Sequence, residues 1–217
     1  MTGTVEPAEA PARNARTARK RRAVLEAAEQ VFLRSGYLGA NMDELVALSG
    51  VSKQTVYTYF GSKEQLFVEL VTSMTGAASD QVTGETPSVE GVDDVEAYLV
   101  DYAHRQLAIV LTPRLLQLRR LVIGEVGRFP ELARALWEGG PRRALTALTG
   151  VFASLAERGD LDIDDPALAA EQFNWLVMSG PLNQAMLLGD DAVPSAPGLR
   201  VHAERSVRMF LTAYGRG

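Results

Sequence analysis

Residues 41–67 read NMDELVALSGVSKQTVYTYFGSKEQLF, and the reading of this stretch decides the fold. It divides into two short helices, a tight turn between them, and the start of another helix. Asn41 and Glu44 have capping-box spacing, a side-chain acceptor at the N-cap and a carboxylate three residues on. Leu45 and Leu48 give the helix that follows a narrow apolar stripe. Ser49-Gly50-Val51-Ser52 is the turn. Gly50 supplies the left-handed backbone of a sharp helix exit, and Val51 can fill the space between the helices. Ser52 is a natural N-cap for a helix from Lys53 to about Phe60. Val56 and Phe60 lie four apart and share an inward face. Lys53, Gln54, Thr55, Thr58 and Tyr59 then face mainly outward. Ser62 and Gln65 repeat the capping-box spacing and open the next helix.

The outward face has few apolar side chains and many hydrogen-bonding groups. Gln54 can pair with adenine in a major groove, and the methyls of Thr55 and Thr58 can touch thymine methyls. Lys53, Tyr57 and Lys63 suit phosphate oxygens, as does the helix N-terminus. A second helix presenting this face after a four-residue turn is the helix-turn-helix arrangement. An ordinary helical hairpin with a solvated face fits the same spacing.

The block GVSKQTVYTYFGSKEQLF, preceded by ARKRRAVLEAAEQVFLRSGY, resembles the N-terminal domain of the tetracycline-repressor (TetR) family. The resemblance runs from about Arg19 to Phe67. It is most specific at Val56-Tyr57, Tyr59-Phe60, Ser62-Lys63 and Leu66. It implies that Lys53, Gln54, Thr55, Tyr57, Thr58, Tyr59 and Lys63 take the DNA-facing positions. Two departures stand out. Asn41-Met42 stands where the family often has Thr-Thr or Thr-Val, so Met42 cannot supply the hydroxyl that often meets a phosphate there, and Asn41 remains a candidate DNA contact. Val46 replaces a smaller Ala and adjusts the packing between the two helices.

The net charge of −5 suits a DNA binder only once it is divided along the chain. Residues 13–67 carry nine basic and five acidic side chains, whereas residues 68–217 carry 13 basic and 20 acidic ones. An acidic body repels DNA and orients the basic end toward it. Residues 1–15, rich in Ala, Pro and Glu, read as a disordered arm. Arg13, Arg16, Arg19, Lys20, Arg21 and Arg22 follow, either as a solvated helix start or as a basic segment on the phosphates, with Arg19 and Arg22 the candidate contacts.

Hydrophobic residues make up 47% of the 217-residue chain and charged residues 23%, the range of an ordinary globular protein. No apolar run approaches the roughly 20 residues that span a membrane, and the N-terminus has no apolar signal segment. The absence of cysteine excludes disulfides and thiolate chemistry. The expected location is the cytoplasm.

Every later segment reads as helical, with no alternating strand pattern. The first helix spans about Thr17 to Ser35 and stops at Gly36. The fourth starts at Lys63 and runs to about residue 82, with a loop over Thr83 to Val92. A fifth carries the stripe Val95, Tyr98, Leu99, Tyr102, Gln106 and Val110. Pro113 opens a sixth and Pro130 a seventh. Gly139-Gly140-Pro141 should kink or break the seventh before it ends near Arg158. An eighth runs from Pro166 to about Leu188 and the last from Leu199 to Tyr214. The expectation is therefore an all-α chain of about nine helices, with a three-helix reading head over residues 16–62 and a larger helical body over 63–217.

The stretch Arg119 to Gly189 also resembles, more loosely, a recurring C-terminal domain type of the TetR family. The resemblance implies a homodimer through the last two helices, about 166–188 and 199–214, and a small-molecule site in the body. Independent support for a dimer comes from the eighth helix, apolar nearly all round, which needs a second partner beyond its own core. Candidate ligand contacts are Tyr102, Leu107, Leu118, Val122, Phe152, Trp175 and Met178, each of which can equally be a core residue. Arg119, Arg120 and Glu125 sit on an otherwise apolar helix, where they serve an acidic or amine ligand, reach water or pair with one another.

No cofactor or metal is expected. His104 and His202 are the only histidines and neither has a second ligand at metal spacing. Asp160, Asp162, Asp164 and Asp165 lack the glycine and closing glutamate of a calcium loop. No phosphate loop follows a strand, and no serine or threonine is expected to have a histidine nearby in sequence. The expected function is non-enzymatic: sequence-specific binding of a double-stranded operator, as a repressor released by a small hydrophobic ligand. An effector-independent activator or architectural protein is the alternative, and a small-molecule enzyme or carrier a more distant one.

Overall fold

The computed structural model describes residues 9–84 and 89–216. Helix α1 spans Glu9–Gly39, earlier in the chain than expected. Residues 9–15, assigned above to a disordered arm, are helical. Ala and Arg are among the best helix formers, and Pro11 falls in the first turn, where its missing N–H leaves no bond unmade. The rest of the expected arm, residues 1–8, lies outside the described residues. Regular helix stops at Gly36, whose φ of 71° only glycine adopts without strain.

The helix-turn-helix follows as α2 (Met42–Ser49) and α3 (Lys53–Phe60). Gly50 at φ 63° takes the left-handed exit, and Val51 is buried in the turn. Leu45, Val56 and Phe60 point inward and are buried. Leu48 does not join them. It is 52% exposed, because on an eight-residue helix only Leu45 reaches the inner face. The core of this part is an aromatic cluster. The Phe67 ring, on α4 (Lys63–Thr83), lies 4.7 Å from Phe32 and 5.3 Å from Tyr37.

The chain divides into two compact units between Val71 and Thr72. The division falls inside α4, so Leu66, Phe67 and Leu70 belong with the reading head. The second unit continues with α5 (Val95–Val110), α6 (Pro113–Glu125), α7 (Pro130–Gly139), α8 (Pro141–Arg158), α9 (Pro166–Leu188) and α10 (Ala196–Tyr214). Prolines open α6, α7, α8 and α9 where the N–H has no helical acceptor. There is no strand among the described residues, only an isolated bridge from Leu161 to Gly215.

The expected seventh helix breaks at Gly140, giving ten α-helices among the described residues. Pro141 cannot continue the hydrogen-bond ladder. The glycines there have a second use: a Cβ on Gly139 would sit 2.3 Å from Thr75 Oγ1 of α4, so α7 ends in close approach to α4. In the main core Phe152 stacks on Phe210, and Phe173 meets both edge-on, with centroids 5.0–5.5 Å apart. Tyr102 and Tyr214 extend the cluster.

Candidate nucleic-acid interface and internal cavity

The geometry of α3 follows from its two ends. Ser52 Oγ accepts from the Thr55 amide at 3.3 Å and sits 2.8 Å from Thr55 Oγ1. Gly61, at φ 74°, closes the helix and sends the chain into α4. With Val56 and Phe60 anchored in the core, Lys53, Gln54, Tyr57 and Thr58 are exposed together. Thr55 and Tyr59 are half-buried on the flank of the same face. The Thr58 hydroxyl donates to the Gln54 carbonyl at 2.8 Å, which leaves its methyl outward.

The surrounding polar groups are tied down. Asn41 Oδ1 accepts from the Asp43 amide at 2.8 Å and caps α2. The other half of the expected capping box does not form, because the Glu44 carboxylate pairs with Arg34 of α1 instead. Lys63 reaches the Ala40 carbonyl at 2.7 Å and lies 5.0 Å from the Tyr37 ring centroid. Burial there pushes its pKa below the ordinary lysine value. Arg21 covers the Phe60 ring and pairs with Glu69. Arg19 is exposed with no ion pair among the described residues, and Arg22 has only a loose one to Glu26 at 3.5 Å.

Sequence reasoning missed Asp43. Its carboxylate holds Lys53 Nζ at 2.7 Å, and this hydrogen bond and charge push the Lys53 pKa upward. A phosphate must compete for that ammonium. Asp43→Asn should therefore raise affinity for any duplex about threefold to tenfold at low salt and steepen the salt dependence by about one counterion, as expected for one more available cation. Titration of operator and scrambled duplexes at several salt concentrations measures both. Unchanged slopes would show that Lys53 is already shared with DNA.

In the second unit, α4, α5, α6, α9 and the α7–α8 junction line a partly open cavity of about 90 Å³. Of the sequence candidates, Leu118, Trp175 and Met178 line it. Tyr102, Leu107 and Phe152 lie fully buried in the main core, and Val122 is buried on α6. The polar lining was not foreseen as a set. Gln106 Nε2 donates to Asn174 Oδ1 at 2.9 Å in the interior, and Ser79 and Arg119 also face the cavity. The signal was available: Gln106 interrupts the apolar stripe of α5, and Asn174 interrupts that of α9. Arg120, by contrast, is occupied by Asp190 and the Ala185 carbonyl, each at 2.7 Å.

The remaining candidate chemistry resolves into packing. Asp160 pairs with Arg158 at 2.8 Å, and Asp165 caps α9 through the amides of Ala167 and Leu168. Ser206 Oγ lies 3.5 Å from His202 Nε2, a pairing the sequence reading overlooked. That nitrogen sits 2.8 Å from the Val177 carbonyl, so it carries a proton and cannot act as a base toward the serine. No helix among the described residues is long and apolar enough to cross a membrane.

The models for two protein families match this arrangement in order. Residues 24–70 match the bacterial regulatory proteins of the tetR family, and residues 97–216 match the AefR-like transcriptional repressor C-terminal domain. The chain belongs to the TetR family. A crystal structure of a TetR-family regulator from Mesorhizobium loti superposes with a TM-score of 0.88 and 37% identity, covering 93% of this chain and 99% of that one. The flavonoid-responsive regulator FrrA follows at TM-score 0.76 and 31% identity, over 91% and 98% of the two chains. The transcriptional repressor SCO4008 of Streptomyces coelicolor is 28% identical over 195 residues, 87% of this chain and 93% of that protein. Other curated TetR-type regulators match over only 24–30% of their length. This TetR-family chain is thus a DNA-binding transcriptional regulator, from a family of regulators rather than enzymes.

Proposed function

We propose that the protein is a homodimeric repressor that binds a palindromic operator and leaves it when a small, largely hydrophobic ligand enters the cavity. The observation that carries this reading is α3, whose exposed Lys53, Gln54, Tyr57 and Thr58 stand on a helix fixed by two buried anchors. Gln54 and the methyls of Thr55 and Thr58 read base edges, with Tyr59 beside them. Lys53, Tyr57, Lys63, Arg19, Arg22 and the free amide nitrogen of Asn41 hold phosphates. Such a regulator works beside the chromosome, in the cytoplasm.

The dimer is supported by apolar side chains left outside on the last two helices. Leu168 and Trp175 of α9 are 48% and 44% exposed, and Val201 and Met209 of α10 are 44% and 63% exposed. A monomer with two such faces gains by pairing them. The ligand reading is supported by the cavity and by the similarity to FrrA, which is flavonoid-responsive. Release then requires that ligand bind the DNA-incompetent arrangement more tightly.

Selection of bound duplexes from a random library, followed by sequencing, tests the first part. The expected result is one palindrome whose half-sites are centred about one helical turn apart, or a multiple of it, as for other helix-turn-helix dimers. Recovery of a single half-site would remove the dimer. Recovery of no motif would remove sequence-specific regulation.

A further inference from the structure

The cavity has an apolar wall and one charge. Leu118, Met178 and Trp175 are among the residues of the former, with Val82, Val110 and Leu182, and Arg119 of α6 is the latter. Arg119 is partly buried and has no hydrogen bond or ion pair among the described residues, whereas its neighbour Arg120 has both. Burial pushes its pKa down, yet a guanidinium stays protonated in any protein environment. A positive charge withdrawn from water without a counter-ion is costly, and a ligand that brings one recovers that cost. Two further atoms are buried without partners: Gln106 Oε1 and Ser79 Oγ. Both belong to residues lining this cavity. Native interiors leave few such atoms unpaired.

From these observations we infer that the cavity binds a compact amphipathic organic acid. The carboxylate pairs with Arg119, bidentate where geometry allows. The apolar body lies on Leu118, Met178 and Trp175, and a hydroxyl or amide on the ligand meets Gln106 Oε1 or Ser79 Oγ. Single-ring acids are the simplest probes that carry both a carboxylate and an apolar body. The inference rests on the cavity being the effector site and adds the charge of the ligand to it.

The test uses the full-length protein and matched probes: benzoate, phenylacetate and 4-hydroxyphenylacetate, each beside its neutral amide. Binding is read from Trp175 fluorescence in a Trp137→Phe background, and operator release from a fluorescent duplex. The expected result is that acids bind at least about tenfold more tightly than their amides, a difference of about 1.4 kcal/mol. Arg119→Met should abolish that preference, and Arg119→Lys should keep part of it, which guards against a variant that simply fails to fold. The inference is overturned if amides bind as well as acids, if Arg119→Met leaves the preference intact, or if no acid binds at millimolar concentration. Neutral compounds that release the operator would leave the effector site standing and remove only its charge preference. Acids that bind in an Arg119-dependent way but never release the operator would do the reverse.

Discussion

Phe210→Ala is expected to cost the C-terminal unit about 3–5 kcal/mol, the usual range for deleting a buried phenyl ring without collapse of the site. The ring is 1% exposed, stacks on Phe152 at 5.0 Å, meets Phe173 edge-on at 5.1 Å and lies tilted against Tyr214 at 4.7 Å. Removing it opens a space against three rings at once, and none of them can move in without leaving the others. Urea unfolding followed by circular dichroism measures the loss. Met209→Ala, one residue earlier on α10 but 63% exposed, is the control. It should leave urea unfolding of the unit nearly unchanged at low protein concentration while weakening self-association in sedimentation. A drop of less than 1 kcal/mol for Phe210→Ala would mean that the aromatic cluster is not the centre of the fold.

Gly139→Ala is expected to weaken operator binding by on the order of tenfold in the absence of any ligand, within the range of coupling free energies between sites. The new methyl would lie 2.3 Å from Thr75 Oγ1 and 3.2 Å from its Cβ, so the Thr75 side chain must turn and α4 or the end of α7 must give by a few tenths of an ångström. Overpacking of this kind costs about 1–3 kcal/mol. Thr75 and Gly140 both line the cavity, and α4 runs without interruption from Lys63 to Thr83, through the division at Val71. The substitution therefore pushes beside the proposed ligand site, on the one helix that both units share. Thr75→Ala removes the hydroxyl that clashes, so the double variant should recover most of the affinity. If Gly139→Ala bound its operator as the unaltered protein does, α4 would not carry the signal.

The helix-turn-helix was legible because its signals are local. Gly50, Ser52 and the Val56–Phe60 pair act within a few residues, and each took its expected place. An irregularity at Gly139-Gly140-Pro141 was legible for the same reason, since glycine and proline act through their own backbone, but whether the helix kinked or broke there was not. What the sequence concealed depended on distant partners. Glu44 had the spacing of a cap, but Arg34 of another helix took its carboxylate. Asp43 could not be seen holding Lys53 until α2 and α3 were folded together. The cavity was legible only in part. Trp175, Leu118 and Met178 are apolar residues like many others, and nothing in their spacing separates them from Tyr102 or Phe152. The Gln106–Asn174 pair joins residues 68 apart in the chain. Only the oddity of a polar residue on an apolar stripe hinted at it.

Lys63 carries a consequence that concerns inheritance. By gripping the Ala40 carbonyl and the Tyr37 ring, it fastens the start of α4 to the end of α1, and every residue in that knot lies before Thr72. The cavity, in contrast, is lined only from Thr75 onward. On the proposed reading, what the protein reads on DNA and what it senses are thus written in non-overlapping parts of one chain. Descendants could exchange one chemical signal for another by substitutions in the later part while the earlier part, and the set of promoters it recognises, passed down unchanged.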